Sequence, residues 1–299
     1  MNLPNIGIAL GGGGARGAAH IGVLQVLQEE NIEIDIISGV SAGSVIGAMY
    51  AHKKDPAWIE SRLRKALDKY PFRNKYGKYF RSSSSKKSFF LKTSGFIFNH
   101  IFNTLKLHKN SIIKKKHLED VISFLVPSRT FQELKIPIKI GASDLNSGET
   151  VVYEDGDLIT AIVQSCSIPG IIEPTIKGEK ILVDGGVTSP IPVSMIKEDC
   201  MFTIAVDISQ SQFSNLEKIN MLELKGRADL ITSNELKLNL SKKANFVIRP
   251  NTLGLHWSSF HKFESLILEG KNVTNSSIIN LKNLLPKKIN NYSGKEWLG

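Results

Sequence analysis

Two cysteines among 299 residues, Cys166 and Cys200, are too few for a disulfide scaffold and too isolated for a thiolate metal site. No apolar run approaches the roughly 18 residues of a membrane-spanning helix. The first residues lack a basic stretch followed by an apolar one, so no secretory leader is expected and the cytoplasm is the default compartment. Histidine is scarce: of seven, only His256 and His261 fall in the second half of the chain. Acidic residues are absent between Phe72 and Leu118, where twelve of the 38 Lys and Arg residues collect. Outside that segment 26 basic residues face 28 acidic ones, so the net charge of +10 is local to it. No recognised nucleic-acid motif accompanies this charge, and no nucleic-acid partner is expected.

What is present centres on Ser41. It stands in Gly39-Val40-Ser41-Ala42-Gly43, directly after the apolar run Ile34-Asp35-Ile36-Ile37. A G-x-S-x-G pentapeptide between a short strand and a helix predicts a sharp turn that lifts the serine hydroxyl above the end of a sheet. The helix N-terminus behind it favours developing negative charge. Gly43, Ser44, Gly47 and Ala48 share one helical face, which lets that helix lie close to the sheet. The pentapeptide equally suits a plain strand–helix turn whose serine only caps the helix. The rest of the chain decides between the two.

A second motif opens the chain. Ile6–Leu10 reads as a buried strand, followed by Gly11-Gly12-Gly13-Gly14-Ala15-Arg16-Gly17 and an amphipathic helix that runs to about Glu29. Consecutive glycines let backbone N–H groups point outward together and cradle an anion. A phosphate-binding P-loop is excluded, because Ala18-Ala19 rather than Lys-Ser/Thr follow Gly17. A dinucleotide fold matches Gly12-x-Gly14-x-x-Gly17 but lacks the acidic residue at the end of its second strand, since Glu33 and Asp35 come too early. An oxyanion hole built from Gly12, Gly13, Gly14 and Ala42 explains both motifs at once, because loops after adjacent parallel strands open on the same edge. Arg16 either steadies an anionic substrate or is a surface or capping arginine.

The nucleophile needs a base. His256 and His261 lie in Leu255-His256-Trp257-Ser258-Ser259-Phe260-His261, which has no strand-end character, and they are read as packing or surface groups. Asp184 is better placed: Ile181-Leu182-Val183 is a short apolar strand, and Asp184-Gly185-Gly186 follows at its end, where sites of open α/β sheets gather. A carboxylate there can take the Ser41 proton directly. Asp144 is the reserve base. Asp155, Asp157 and Asp207 read as turn or cap residues, and His20 as a structural histidine beside the glycine loop.

These three motifs, in this order, resemble the patatin-like phospholipase family and especially its compact bacterial members. Ser165-Cys166-Ser167-Ile168-Pro169-Gly170, then Pro174, resembles the family's approach to its aspartate strand, as do Asp144–Gly148 and Val206-Asp207 on flanking strands. The resemblance runs from about Asn5 to about Gly270 and is weakest between Lys53 and Leu125. It implies a three-layer α/β/α sandwich with a mostly parallel sheet. It also implies metal-free, cofactor-free hydrolysis of lipid acyl esters by a Ser41–Asp184 dyad, with Gly17, Gly39, Gly43, Gly185 and Gly186 as supporting motif positions.

The expected organisation is one catalytic domain over 5–270 carrying a basic, helical cap at about 72–118, with a helix end and tail over 271–299. The cap interleaves its lysines with Phe72, Tyr76, Phe89, Phe96 and Phe102, among other aromatics, a composition suited to an anionic membrane surface. Packing of those aromatics on the core is the competing reading. Two further functions stay open: a Ser-His-Asp hydrolase using His256 or His261, and a regulatory or adaptor protein on the same fold.

Overall fold

The computed structural model describes residues 6–70, 111, 113–209, 215–216 and 219–286. The proposed cap falls almost entirely outside these residues. Its last described part, from Lys115, belongs to a helix that ends at Leu125.

The chain starts in the centre of a mixed sheet. Strand β1 (Ile6–Leu10) pairs in parallel with β2 (Ile36–Val40) on one side and β7 (Phe202–Val206) on the other, and all three are buried throughout. Burial on both faces is the condition of a parallel sheet covered on two sides, and it accounts for their apolar composition. Strand β2 begins later than the apolar run suggests, because Asp35 turns back to accept the Ile6 N–H at 2.9 Å. It then runs through Val40, right up to the serine.

Strand β3 (Ile138–Asp144) continues the parallel order beside β2, and β8 (Phe246–Ile248) beside β7. The other pairings are antiparallel: β4 (Thr150–Tyr153) and β6 (Lys180–Asp184) both pair with β3, and β5 (Thr175–Lys177) pairs with β6. One consequence of register positions the site. Strand β3 uses Ile138–Gly141 for β2 and Ala142–Asp144 for β6, while β4 occupies its opposite edge from Ile140 to Ser143. Strands β2 and β6 therefore share one edge of β3 and approach each other end to end.

Side-chain alternation divides the core between the two faces. Ile8, Leu10, Ile37, Ile204 and Val206 enter the larger cluster, together with helices α1 (Ala18–Glu29), α2 (Ala42–Lys53), α3 (Pro56–Lys69), α4 (Lys115–Leu125) and α5 (Leu158–Ser165). Ala9 and Ala205 point the other way, onto Ile191, Val193, Ile196 and Cys200 and the end of the long helix α6 (Met221–Ser241). The last helix, α7 (Phe263–Leu284), crosses α1 where both chains are bare: a Cβ on Gly22 would sit 2.0 Å from the Ile267 carbonyl oxygen. No helix among the described residues is long and apolar enough to cross a membrane.

Candidate active site

Ser41 occupies the turn between β2 and α2 with φ 51° and ψ −126°, a combination side chains avoid and helix N-caps do not need. What holds it there is close packing beneath the turn. A Cβ on Gly43 would lie 2.0 Å from the Leu10 carbonyl oxygen, so only glycine lets α2 descend onto the end of β1. Gly39 faces the backbone of Gly43 and Ser44, and Gly17 lies against Ala42, with similarly short approaches. The Ser41 carbonyl accepts the Ser44 hydroxyl at 2.7 Å and the Ser44 N–H at 2.9 Å. Its own N–H donates to the Ser165 hydroxyl at 2.9 Å.

The glycine loop rises next to it. A Cβ on Gly12 would stand 3.3 Å from Ser41 Cβ, which places the loop directly over the nucleophile candidate. Gly14 has φ +58° and backs onto Trp257, whose carbonyl accepts the Ala15 N–H at 2.6 Å. The Gly12 N–H is already committed to the Pro190 carbonyl at 3.1 Å, and that of Gly11 to Val206 at 3.1 Å. Among the described residues no carbonyl accepts the Gly13 or Gly14 N–H, and Ala42 is at the first position of α2, where helix N–H groups have no internal partner. The donors available to an anion are thus Gly13, Gly14 and Ala42. Gly12, its N–H bonded to Pro190, lies bare against Ser41.

Arg16 is turned inward. Its Nε donates to the Gly13 carbonyl at 3.2 Å, so it clamps the loop from behind. Burial lowers its pKa while Asp207 works in the opposite direction. Asp207 itself accepts from Arg249 Nε at 3.1 Å and from the Ser209 N–H at 3.0 Å. His20 is fully buried, with Nε2 2.8 Å from the Gly11 carbonyl oxygen and Nδ1 without a partner among the described residues. Burial pushes its pKa down to about 4, so at neutral pH the ring is uncharged and Nε2 carries the proton it donates.

Asp184 ends β6 and meets the end of β2. Gly185 carries the juxtaposition: a Cβ there would lie 2.2 Å from the Gly141 carbonyl oxygen and 2.8 Å from Val40 Cγ1. One Asp184 oxygen accepts the Gly186 N–H at 2.7 Å. Burial raises the carboxyl pKa to about 6, against the lowering effect of the nearby Ser41 hydroxyl and of the Gly186 N–H. The same hydroxyl bears on the Cys166 thiol, which burial and the Asp184 charge push up, making it inert at neutral pH.

The other candidates have different duties. Asp144 accepts from the Asn146 and Ile181 N–H groups, both at 3.1 Å, and from the Ser147 hydroxyl at 3.0 Å. Burial alone would raise its pKa, but these bonds hold it below the usual value, so it is a structural junction between β3 and β6. Asp157 caps α5 through the Thr160 N–H. His256 bonds Ser258 and packs on Trp257, and neither it nor His261 makes a hydrogen bond to Ser41 or Asp184. No cluster of three or more His, Cys, Asp or Glu among the described residues is placed to hold a metal ion. A shallow pocket of about 310 Å³, lined by Ile36, Pro137, Ile138 and Glu154, opens at the amino ends of β2 and β3, the edge opposite Ser41.

Sequence reasoning missed Ser165, Ser44 and Pro190, each of which acts through space on the loop or the turn. In the sequence Ser44 stands out only as a small residue on the packing face of α2, and Ser165 only within the Ser165–Gly170 stretch of the resemblance, without a role.

Comparison with known proteins finds a family and relatives for the chain. The family model described as Patatin-like phospholipase matches residues 8–196. An uncharacterised NTE family protein of Mycobacterium tuberculosis is 30% identical over 212 residues, 70% of this chain and 50% of its own length. A patatin-like phospholipase domain-containing protein of Caenorhabditis elegans is 30% identical over 214 residues, 71% of this chain and 14% of its own. Lysophospholipase NTE1 of Kluyveromyces lactis is 27% identical over 296 residues, 89% of this chain and 18% of its own. The chain spans about half the length, or less, of these curated relatives.

Proposed function

The chain belongs to the patatin-like phospholipase family, and from that premise we propose that it is a serine acyl hydrolase acting on lipid esters. The observation that carries the reading is the end-to-end meeting of β2 and β6. It sets the strained Ser41 against a buried carboxyl whose pKa is raised to about 6. At neutral pH such a group is mostly ionised yet basic enough to accept a hydroxyl proton in a transition state.

In the proposed reaction Ser41 Oγ attacks the ester carbonyl carbon and its proton passes to Asp184. The carbonyl oxygen becomes an oxyanion facing the N–H groups of Gly13, Gly14 and Ala42, beside the positive end of α2. Collapse breaks the ester C–O bond, and the leaving alcohol oxygen takes the proton from Asp184. Water then attacks the acyl-serine, gives its proton to Asp184 and releases the fatty acid as Ser41 recovers its hydroxyl. Arg16 and His20 fix the loop: one holds the Gly13 carbonyl and the other the Gly11 carbonyl, so the intervening peptides cannot turn their N–H groups away.

Lipid-product analysis on a mixed panel of phospholipids and lysophospholipids tests the proposal. The parent should release fatty acid and Ser41→Ala should not, while retaining its fold. Hydrolysis persisting in Ser41→Ala, purified free of other esterases, would refute it. Labelling of Ser41 by a fluorophosphonate separates the enzyme from the adaptor reading, which requires no reactive serine. One catalytic domain over 5–270 with its cap at about 72–118 fits this function. A cap that docks on anionic lipid should carry the protein down with anionic but not neutral vesicles; equal, negligible sedimentation with both would count against it.

A further inference from the structure

Both members of the proposed pair are tied to a single three-residue segment. At the end of α5 the Ser165 hydroxyl accepts the Ser41 N–H at 2.9 Å, and two residues later the Ser167 carbonyl accepts the Asp184 N–H at 2.8 Å. Ser165 and Ser167 are fully buried. Cys166 between them has its Sγ 3.8 Å from Ser44 Oγ, the hydroxyl that holds the Ser41 carbonyl. The Ser167 hydroxyl is used up on its own helix, donating to the Val163 carbonyl at 2.8 Å.

We infer that Ser165–Ser167 is a positioning bracket, in which the Ser165 hydroxyl holds the Ser41 backbone in its attack conformation while the Ser167 carbonyl fixes the seat of Asp184. The inference rests on the function proposed above and deepens it. The Ser41 N–H, in a turn with φ at 51°, has its acceptor in neither β2 nor α2 but in the Ser165 hydroxyl of α5. A buried N–H needs an acceptor, and a strained turn persists only where its surroundings determine it. Ser165 supplies the acceptor from a different part of the chain, 124 residues on. Releasing it lets the turn relax and carries Oγ off its line to the ester, and displacements of about 1 Å in such geometry cost on the order of a hundredfold in rate.

The test compares fluorophosphonate labelling rate, kcat and KM among the parent, Ser165→Ala, Ser165→Thr and, as a control for losing a buried hydroxyl elsewhere, Ser128→Ala. Ser128 bonds His52 at 2.8 Å and touches neither catalytic group. Ser165→Ala should label at least roughly tenfold more slowly and lose kcat by a like factor with KM within about twofold, the pattern of misplaced reacting atoms. Ser165→Thr, which keeps the hydroxyl, should recover most of the rate. Ser128→Ala should label at the parent rate even where its melting point falls as far. Labelling of Ser165→Ala within about twofold of the parent would overturn the bracket and leave the hydrolase reading standing. Should Ser165→Ala not fold, Ser165→Cys takes its place: a weak sulfur acceptor of similar size must label roughly tenfold more slowly than the threonine variant, and equal rates overturn the inference. A parent that does not label at Ser41 removes the hydrolase reading itself, and the bracket with it.

Discussion

Replacing Asp184 by Asn should destroy activity and stabilise the protein, by an amount set by pH. The carboxyl is 7% exposed and its pKa rises from 3.8 to about 6, principally through burial. A rise of that size corresponds to about 3 kcal/mol between the two protonation states. The folded pKa lies above the unfolded one, so between about 4 and 6 the native state keeps a proton that the unfolded chain has released. Stability is therefore lost as pH rises through that window, with the whole cost present at neutral pH and none below it. Asn keeps the shape and the oxygen that accepts the Gly186 N–H, but carries no charge to desolvate. At pH 8 Asp184→Asn should exceed the parent by up to about 3 kcal/mol, several degrees of melting temperature for a domain of this size, and at pH 4 the two should coincide. His20 makes the comparison sharper. Burial depresses its pKa from 6.5 to about 4, so its contribution has the opposite sign: about 3 kcal/mol present above 6.5 and lost as pH falls toward 4. The two slopes offset one another in the parent, whose stability should be nearly level between pH 4 and 6 as far as these groups decide it. Asp184→Asn uncovers the histidine slope. Thermal unfolding of both proteins from pH 4 to 8 measures this. No gain at pH 8, or a gain that is unchanged at pH 4, would refute the reasoning.

The pH–rate profile should follow the same carboxyl, with kcat/KM half-maximal near pH 6 and falling tenfold per unit below it. Ser41→Gly should be more stable than Ser41→Ala by about 1–2 kcal/mol, because both delete the hydroxyl but only glycine adopts φ 51°, ψ −126° without strain. Equal denaturation midpoints for the two would mean that the turn is not strained. Gly43→Ala forces a Cβ to within 2.0 Å of the Leu10 carbonyl oxygen and should cost at least about 3 kcal/mol, or prevent folding, as read by urea denaturation.

Much of this was legible in the chain because the signals are local. The glycine loop, the pentapeptide and the Asp-Gly-Gly turn each announce their backbone through neighbours in sequence, and strands as apolar as Ile6–Leu10 leave little choice of partner. The proposed oxyanion donors are only partly readable in the sequence. Whether Gly12 offers its N–H depends on Pro190, brought alongside from 178 residues away, and nothing in the glycine run distinguishes it from Gly13. Arg16 was left between substrate and cap for the same reason: its direction is set by the Gly13 carbonyl and by Asp207 at the end of β7. Ser165 resembles any helix-end serine until β2 is laid beside α5.

The proposed pairing of Ser41 with Asp184 is in the end a matter of register. An antiparallel strand entering a parallel sheet would ordinarily run alongside its neighbour, and its last residue would point away from the neighbour's carboxyl end. Here β3 outlasts β2 by three residues, and β6 takes up those positions, so the two strands stop against one another. Gly185 at the junction admits the Gly141 carbonyl where any side chain would separate them. On the proposed mechanism this register brings Ser41 and Asp184 to one junction without a histidine between them. The same packing buries the carboxyl and thereby raises its pKa, so on the proposed mechanism the register that would bring a base to the hydroxyl would also make it basic enough to use.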